Sequence, residues 1–294
     1  MASYFASLKP GKTFTKDVVA GFSTGLFSIP EGMAYAQLAG VNPVYGLYSG
    51  MVATLVAALS TGTILMISTL TSAIALSVGS VIDTAGYDSS DLAALFTVTF
   101  LVGVYMFVAG LLRLGKLVSF VSNAVMTGFV MGASLLIIIG ELGDFSGYDP
   151  VGANDLAEVM NWITNISSWD LTTTLVGLVT LILVLVLKRI KATEKMASII
   201  VLILMSVVVF ALSLDVELVG DIADIPSSLP APTLPDFTAI PSLALGSLSV
   251  AIVALVQGAG ISTAYPNPDK SKSSQSRDFI GEGLGNLVGS FFQS

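Results

Sequence analysis

Long uncharged stretches alternate with short polar ones along nearly the whole chain, and within the apolar stretches there is no period-two alternation. Runs of about 17 to 25 such residues are long enough to cross a hydrocarbon core of roughly 30 Å as helices. No water satisfies the backbone inside a bilayer, so helices or a closed barrel are the available solutions, and the missing alternation excludes the barrel. The pattern predicts spans at 18–40, 44–61, 63–82, 92–112, 117–140, 171–187, 196–214 and 243–264, with a ninth beginning near Phe279. Turn residues in "AGVNPVYG" and "LSTGT" divide the first three. An all-α polytopic membrane protein is therefore expected.

Composition sharpens this. The 294 residues are 54% hydrophobic and 11% charged, with a mean hydropathy of +0.87, far more apolar than a soluble domain of this size. All 12 basic residues fall in four clusters: Lys9, Lys12 and Lys16; Arg113 and Lys116; Lys188, Arg189, Lys191 and Lys195; Lys270, Lys272 and Arg277. The positive-inside rule makes these cytoplasmic, which predicts a multi-pass protein of the inner (plasma) membrane with a cytoplasmic N-terminus. The first span follows "MASYFASLKPGKTFTKD" without a small-residue cleavage pattern and reads as an anchor. Fourteen of the 20 carboxylates lie in Asp83–Asp91, Glu141–Asp170 and Asp215–Asp236, which hold no lysine or arginine and so face outward as a solvated surface. Trp162 and Trp169 place their segment along the outer interface. The proline-rich "DIADIPSSLPAPTLPDF" is an external loop.

Cysteine and histidine are absent, which excludes disulfides, thiol chemistry, metal sites built on those ligands and histidine proton relays. No nucleophile pairs with a base, no G-x-x-x-x-G-K loop occurs and no metal-ligand cluster is seen, so neither an enzyme nor a cofactor is expected. The few basic residues are explained by orientation and give no support to nucleic-acid binding.

Polar residues inside the spans then carry the functional reading. In "FSIPEGMAYAQLAG", Phe27 to Gly40, Glu31 is expected near the bilayer centre, where a carboxylate costs at least about 2.5 kcal/mol and normally faces a cavity or a partner. Pro30 removes a backbone donor and Gly32 loosens the next turn, which predicts an interrupted helix around a polar site. That is a substrate or coupling-ion site, or else a structural kink with a neutral or hydrogen-bonded acid. "AIVALVQGAGISTAY" repeats the theme with Gln257 and Gly258, aligned with Glu31 and Gly32. Paired glycine-interrupted segments at corresponding places point to an inverted-repeat transporter with a midplane site. In the third span, Ser68, Thr69, Thr71 and Ser72 cluster before a helical stretch resumes. They bond back to carbonyls one turn earlier, or they form an extended lead-in whose hydroxyls and amides hold an anion at a helix N-terminus. The glycines of "MTGFVMGASLL" are assigned to close helix packing.

"DVVAGFSTGLFSIPEGMAYAQLAGVNPVYGLYSG" closely resembles the first two spans of the SulP anion permeases, which include sulfate permeases, bicarbonate transporters, pendrin and prestin. "NAVMTGFVMGASLLIIIGEL" is similar to their fifth span and "SRDFIGEGLGNLVGSFF" to the segment leading into their ninth. The resemblance implies two inverted seven-helix repeats arranged as a core and a gate domain with an elevator motion. On that plan 1–17 is the N-terminus, 18–214 the first repeat, 215–240 an external loop and 241–294 the start of the second repeat.

It also implies an anion held between the ends of the third and tenth spans, with help from the first and eighth. Carried over by position, Glu31 stands where many members have glutamine beside the substrate. Tyr35 stands where an aromatic lines the pocket, Ser68, Thr69 and Thr71 at the third-span anion end, and Gln257 where many members have a glutamate tied to proton or sodium coupling. Acid and amide are thus exchanged between the two spans, which makes Glu31 the expected coupling acid. The implied function is secondary active transport of a small inorganic anion such as sulfate or bicarbonate, coupled to H+ or Na+ or by exchange, in a homodimer. The sequence stops at "GSFFQS" before the family's tenth span and STAS domain. The alternative expectation is accordingly a truncated fragment that carries nothing alone.

Overall fold

A computed structural model describes residues 14–88, 91–115, 123–152, 154–194, 196–222, 227–265, 267–269, 271 and 274–294. Lys9, Lys12, Lys116, Lys195, Lys270, Lys272 and the beginning of the predicted fifth span lie outside them. Regular structure among the described residues is entirely helical. In chain order the helices are α1 (Phe14–Leu38), α2 (Pro43–Ser60), α3 (Ser72–Thr84), α4 (Leu92–Leu111), α5 (Asn123–Gly140), α6 (Leu142–Ser146), α7 (Asp155–Thr164), α8 (Leu171–Arg189), α9 (Ala197–Leu212), α10 (Val219–Ile222), α11 (Ile240–Ala264) and α12 (Gln275–Gly289).

Local chemistry sets the boundaries. Gly40, with φ of 74°, lets the chain leave α1 through a left-handed turn. Asn42 Oδ1 then accepts the Val44 N–H at 3.0 Å, and Pro43 occupies the first position of α2, where its missing N–H costs nothing. Asp91 caps α4 by accepting from Ala93 and Ala94 N–H, and Asp170 caps α8 by accepting from Thr173 N–H at 2.6 Å.

Helix α4 is the hub, buried over much of its length. Helix α12 packs against it and against α2, while α11 covers α4 and α3. The α4–α12 seam is close because it is made of glycine: a Cβ on Gly103 would lie 2.6 Å from Leu287 N, and one on Gly283 would lie 2.5 Å from Phe107 N. Dispersion and close backbone approach hold helices together where lipid removes the hydrophobic driving force. Helices α2, α4, α8 and α11 are long and apolar enough to cross a membrane. Helix α8 buries no residue fully and packs on one side against α6 and α9.

Two expectations are corrected. Among the described residues the glycines of "MTGFVMGASLL" do not sit at a close helix contact: a Cβ added at Gly128 or Gly132 would meet nothing within 4 Å, and α5 touches its neighbours sparsely. The predicted interruption at Pro30–Gly32 is also absent. Helix α1 runs unbroken through it, as α11 does through Gln257–Gly258. One proline removes a single N–H bond, and with no water to satisfy an opened backbone, continuing the helix is the cheaper solution. The tryptophan segment instead forms a small knot. Trp162 and Trp169 stack at 4.0 Å, and Trp162 Nε1 donates to Ser146 Oγ at 2.8 Å.

Candidate functional site

The interruption that does occur is in the third span, where helix begins only at Ser72 rather than near residue 63. Residues 66–71 are non-helical, and six residues reach at most about 20 Å at about 3.3 Å each. The 13 residues of α3 measure about 20 Å at 1.5 Å each, shorter than a hydrocarbon core of roughly 30 Å. Thr71 is the N-cap, in extended conformation, and its Oγ1 accepts from Ile74 N–H. The N–H groups of Ser72 and Ala73 head the first turn, where no intrahelical acceptor exists and the dipole favours negative charge.

Thr71 Oγ1 also donates to Gln257 Oε1 at 2.9 Å, joining the N-terminus of α3 to α11. With its oxygen occupied, the Gln257 amide presents N–H donors. These groups edge a cavity of about 170 Å³ among α1, α2, α3, α4, α11 and α12. One water occupies about 30 Å³ of liquid, so a small ion with part of its hydration fits. Ser68, Thr69, Thr71 and Gln257 all line it. Ser68 Oγ is buried with no hydrogen-bond partner, while the Ser68 carbonyl accepts from Thr54 Oγ1 at 2.6 Å. Hydroxyls, amide N–H groups and a helix N-terminus can together replace the hydration of an anion without a fixed positive charge.

Glu31 and Tyr35 are not among the lining residues. The helix turns about 100° per residue, which sets Gly32, Met33 and Ala36 on the packed face and leaves Glu31 exposed. Tyr35 is buried, and its hydroxyl donates to Glu31 Oε1 at 3.3 Å. The expected midplane acid facing the cavity is thus replaced by an acid on the outer face of α1, held by the tyrosine one turn on.

The structure brings in residues that the sequence reading passed over. Asp278, at the start of α12, accepts from Gly62 N–H at 2.7 Å, Thr63 N–H at 2.9 Å and Thr63 Oγ1 at 2.6 Å. Asn267 Oδ1 accepts from Ile64 N–H at 2.8 Å, and its Nδ2 donates to Gly62 O at 3.1 Å. Together they clamp the loop that feeds the extended segment. Glu282 and Asn286 of α12 line the cavity itself. Their signal was an acid between two glycines in "IGEGLGN", a spacing that exposes backbone to a carboxylate.

Just after α5, burial and then the Asp144 charge, with Glu31 adding to them, push the Glu141 carboxyl above its ordinary range. Burial and then Asp149 do the same to Asp144. Exposed Asp170 is held below it by hydrogen bonds from Thr173.

A helical bundle in which one helix starts only after a non-helical lead, beside a cavity whose polar lining is hydroxyls, amides and one carboxylate, is the setting in which membrane carriers place their sites. The chain belongs to the sulfate permease family, whose pattern its residues 14–294 match. It is 29% identical over 284 residues to YbaR of Bacillus subtilis, covering 94% of this chain and 53% of that one. Over 298 residues it is 27% identical to sulfate transporter 4.1, chloroplastic, of Arabidopsis thaliana, covering 96% and 42%. Its fold is similar to that of the murine SLC26A9 anion transporter in the inward-facing state, with a TM-score of 0.78 at 19% identity over 99% of this chain and 52% of that one. The chain spans about half the length of the curated relatives it matches.

Proposed function

We propose that the cavity beside α3 binds a small inorganic anion, sulfate or bicarbonate, and that the chain supplies this site to a secondary active transporter. The observation that carries the reading is the Thr71–Gln257 hydrogen bond at the wall of the cavity, which sets a capped helix N-terminus against an amide on α11. Ser68, Thr69, Thr71 and the first-turn N–H groups of α3 are the donors, and Gln257 fixes their orientation. Helices α1 and α2 would correspond to α11 and α12 in an inverted repeat, with 18–214 as the first repeat and 241–294 as the start of the second. Transport would be coupled to H+ or Na+ in a homodimer of the plasma membrane, with the N-terminus and the basic clusters on the cytoplasmic side.

Radiolabelled sulfate and bicarbonate, offered to the purified chain in detergent and in proteoliposomes, test this against empty vesicles. Saturable binding that Thr71→Val weakens is expected. Neither binding nor accumulation of either anion would overturn the reading.

A further inference from the structure

Helix α12 carries an acid that the bundle does not pair. Glu282 is 8% exposed, its Oε2 is buried with no hydrogen-bond partner, and the side chain lines the cavity beside Gln257 and Asn286. It fits only because α11 has a glycine opposite: a Cβ on Gly258 would lie 2.6 Å from Glu282 Oε1. No basic residue occurs on the helices packed against α12. Tyr45 and Tyr48 are the titratable side chains of α2, Tyr105 is that of α4, and α11 has none. Tyr105 is engaged elsewhere, donating to Ala244 O at 3.1 Å. On α12 itself Arg277 donates to Ser60 O, and Asp278, one turn before Glu282, is a second negative charge already taken up by Gly62 and Thr63.

A carboxyl oxygen that meets no donor, in a cavity that also takes an anion, has a small cation as its fitting partner. A metal cation would need several oxygen ligands, and no group of three or more acidic residues able to hold one occurs among the described residues. A proton needs one oxygen. We propose that Glu282 is the proton-carrying group of this cavity, protonated while the anion is bound and released from its proton when the emptied cavity opens to solution. The proposal rests on the reading of the cavity as an anion site. One anion and one proton then enter together, and by reciprocity anion binding must draw a proton from solution as surely as protonation must favour the anion.

The test is sulfate binding to the full purified chain as a function of pH, with proton uptake read in weak buffer and the protonated-carboxyl band read by infrared spectroscopy without sulfate. Once the acid begins to ionise, wild-type affinity should fall about tenfold per pH unit for one linked proton. Sulfate should alkalinise the weak buffer, and Glu282→Gln should abolish the alkalinisation, flatten the pH profile and remove the band. Sulfate binding by wild type without proton uptake, at a pH above that at which the band without sulfate disappears, would overturn the proposal, as would a Glu282→Gln protein that keeps the tenfold slope. Should that variant fail to fold, wild-type proton uptake decides alone. A wild type that shows the carboxyl band but binds no sulfate would uphold Glu282 as the protonated acid of the cavity and overturn the anion reading instead.

Discussion

Thr71 and Gln257, 186 positions apart in sequence, meet at 2.9 Å and so fix α3 against α11 at the wall of the cavity. Thr71→Val removes both this bond and the N-cap of α3. The cap is worth about 1 kcal/mol, and an unsatisfied buried amide oxygen costs about 1 to 3 kcal/mol more. The expected outcome is a lower thermal midpoint in detergent and sulfate affinity reduced by at least about tenfold, the equivalent of 1.4 kcal/mol. Thr71→Ser keeps the hydroxyl and should restore both. If valine and serine behave alike, the hydroxyl does not orient the site.

The glycine seam of α4 and α12 gives a prediction free of the site's chemistry. A methyl group on Gly103 or Gly283 meets backbone, which cannot swing aside as a side-chain tip can. Gly103→Ala should therefore destabilise by about 1 to 3 kcal/mol through overpacking. Gly128→Ala in α5 meets open space, and by helix propensity alone should be neutral or stabilising by up to about 1 kcal/mol. Thermal melts of the two variants side by side check the difference in sign.

Much of the bundle was legible in the sequence because apolar run length is set directly by bilayer thickness, and each predicted run overlaps one of the long observed helices. The hydroxyl cluster at Ser68 to Ser72 marked a segment that, among the described residues, leaves helix inside a predicted span, since side chains that compete for backbone bonds favour caps and turns. Pro30 and Glu31 misled for a different reason. Composition locates an unusual residue along a helix, but its angular position decides what it faces, and Glu31 lies away from the packed side. Glu282 and Asp278 were passed over because charges near a basic loop read as ordinary surface. Their partners at Gly258, Gly62 and Thr63 come from distant parts of the chain, and only the packing of α12 brings them together.

Acid should stabilise the protein at the C-terminal end of α5. Burial raises Glu141 and Asp144 above the ordinary carboxylate range, and neighbouring negative charges add to it. Between the ordinary range, about 4, and their raised values the folded state holds more protons than the unfolded, so stability falls as pH rises through that window and recovers as it drops. Glu141→Gln and Asp144→Asn, made together, should flatten this part of the curve. Thermal midpoints at a series of pH values check it, and an unchanged slope in the double variant would reject the assignment.

Asp278 holds the approach to the site rather than the site. Its two carboxylate oxygens take three donors from Gly62 and Thr63, and the loop so held runs straight into the extended residues that end at Thr71. Hydrogen bonds to a charged acceptor are worth about 1.5 to 3 kcal/mol each before the cost of desolvating the acid, so Asp278→Ala should destabilise by several kcal/mol and Asp278→Asn by less. Because Thr63 Oγ1 contributes one of the three bonds, Thr63→Val and Asp278→Asn should be non-additive, with a coupling of about 0.5 to 3 kcal/mol in a double-mutant cycle. The same variants should weaken sulfate binding without altering its pH slope, since Asp278 acts by placing the loop and carries no proton with the anion. A changed slope in Asp278→Asn would reject this placing role.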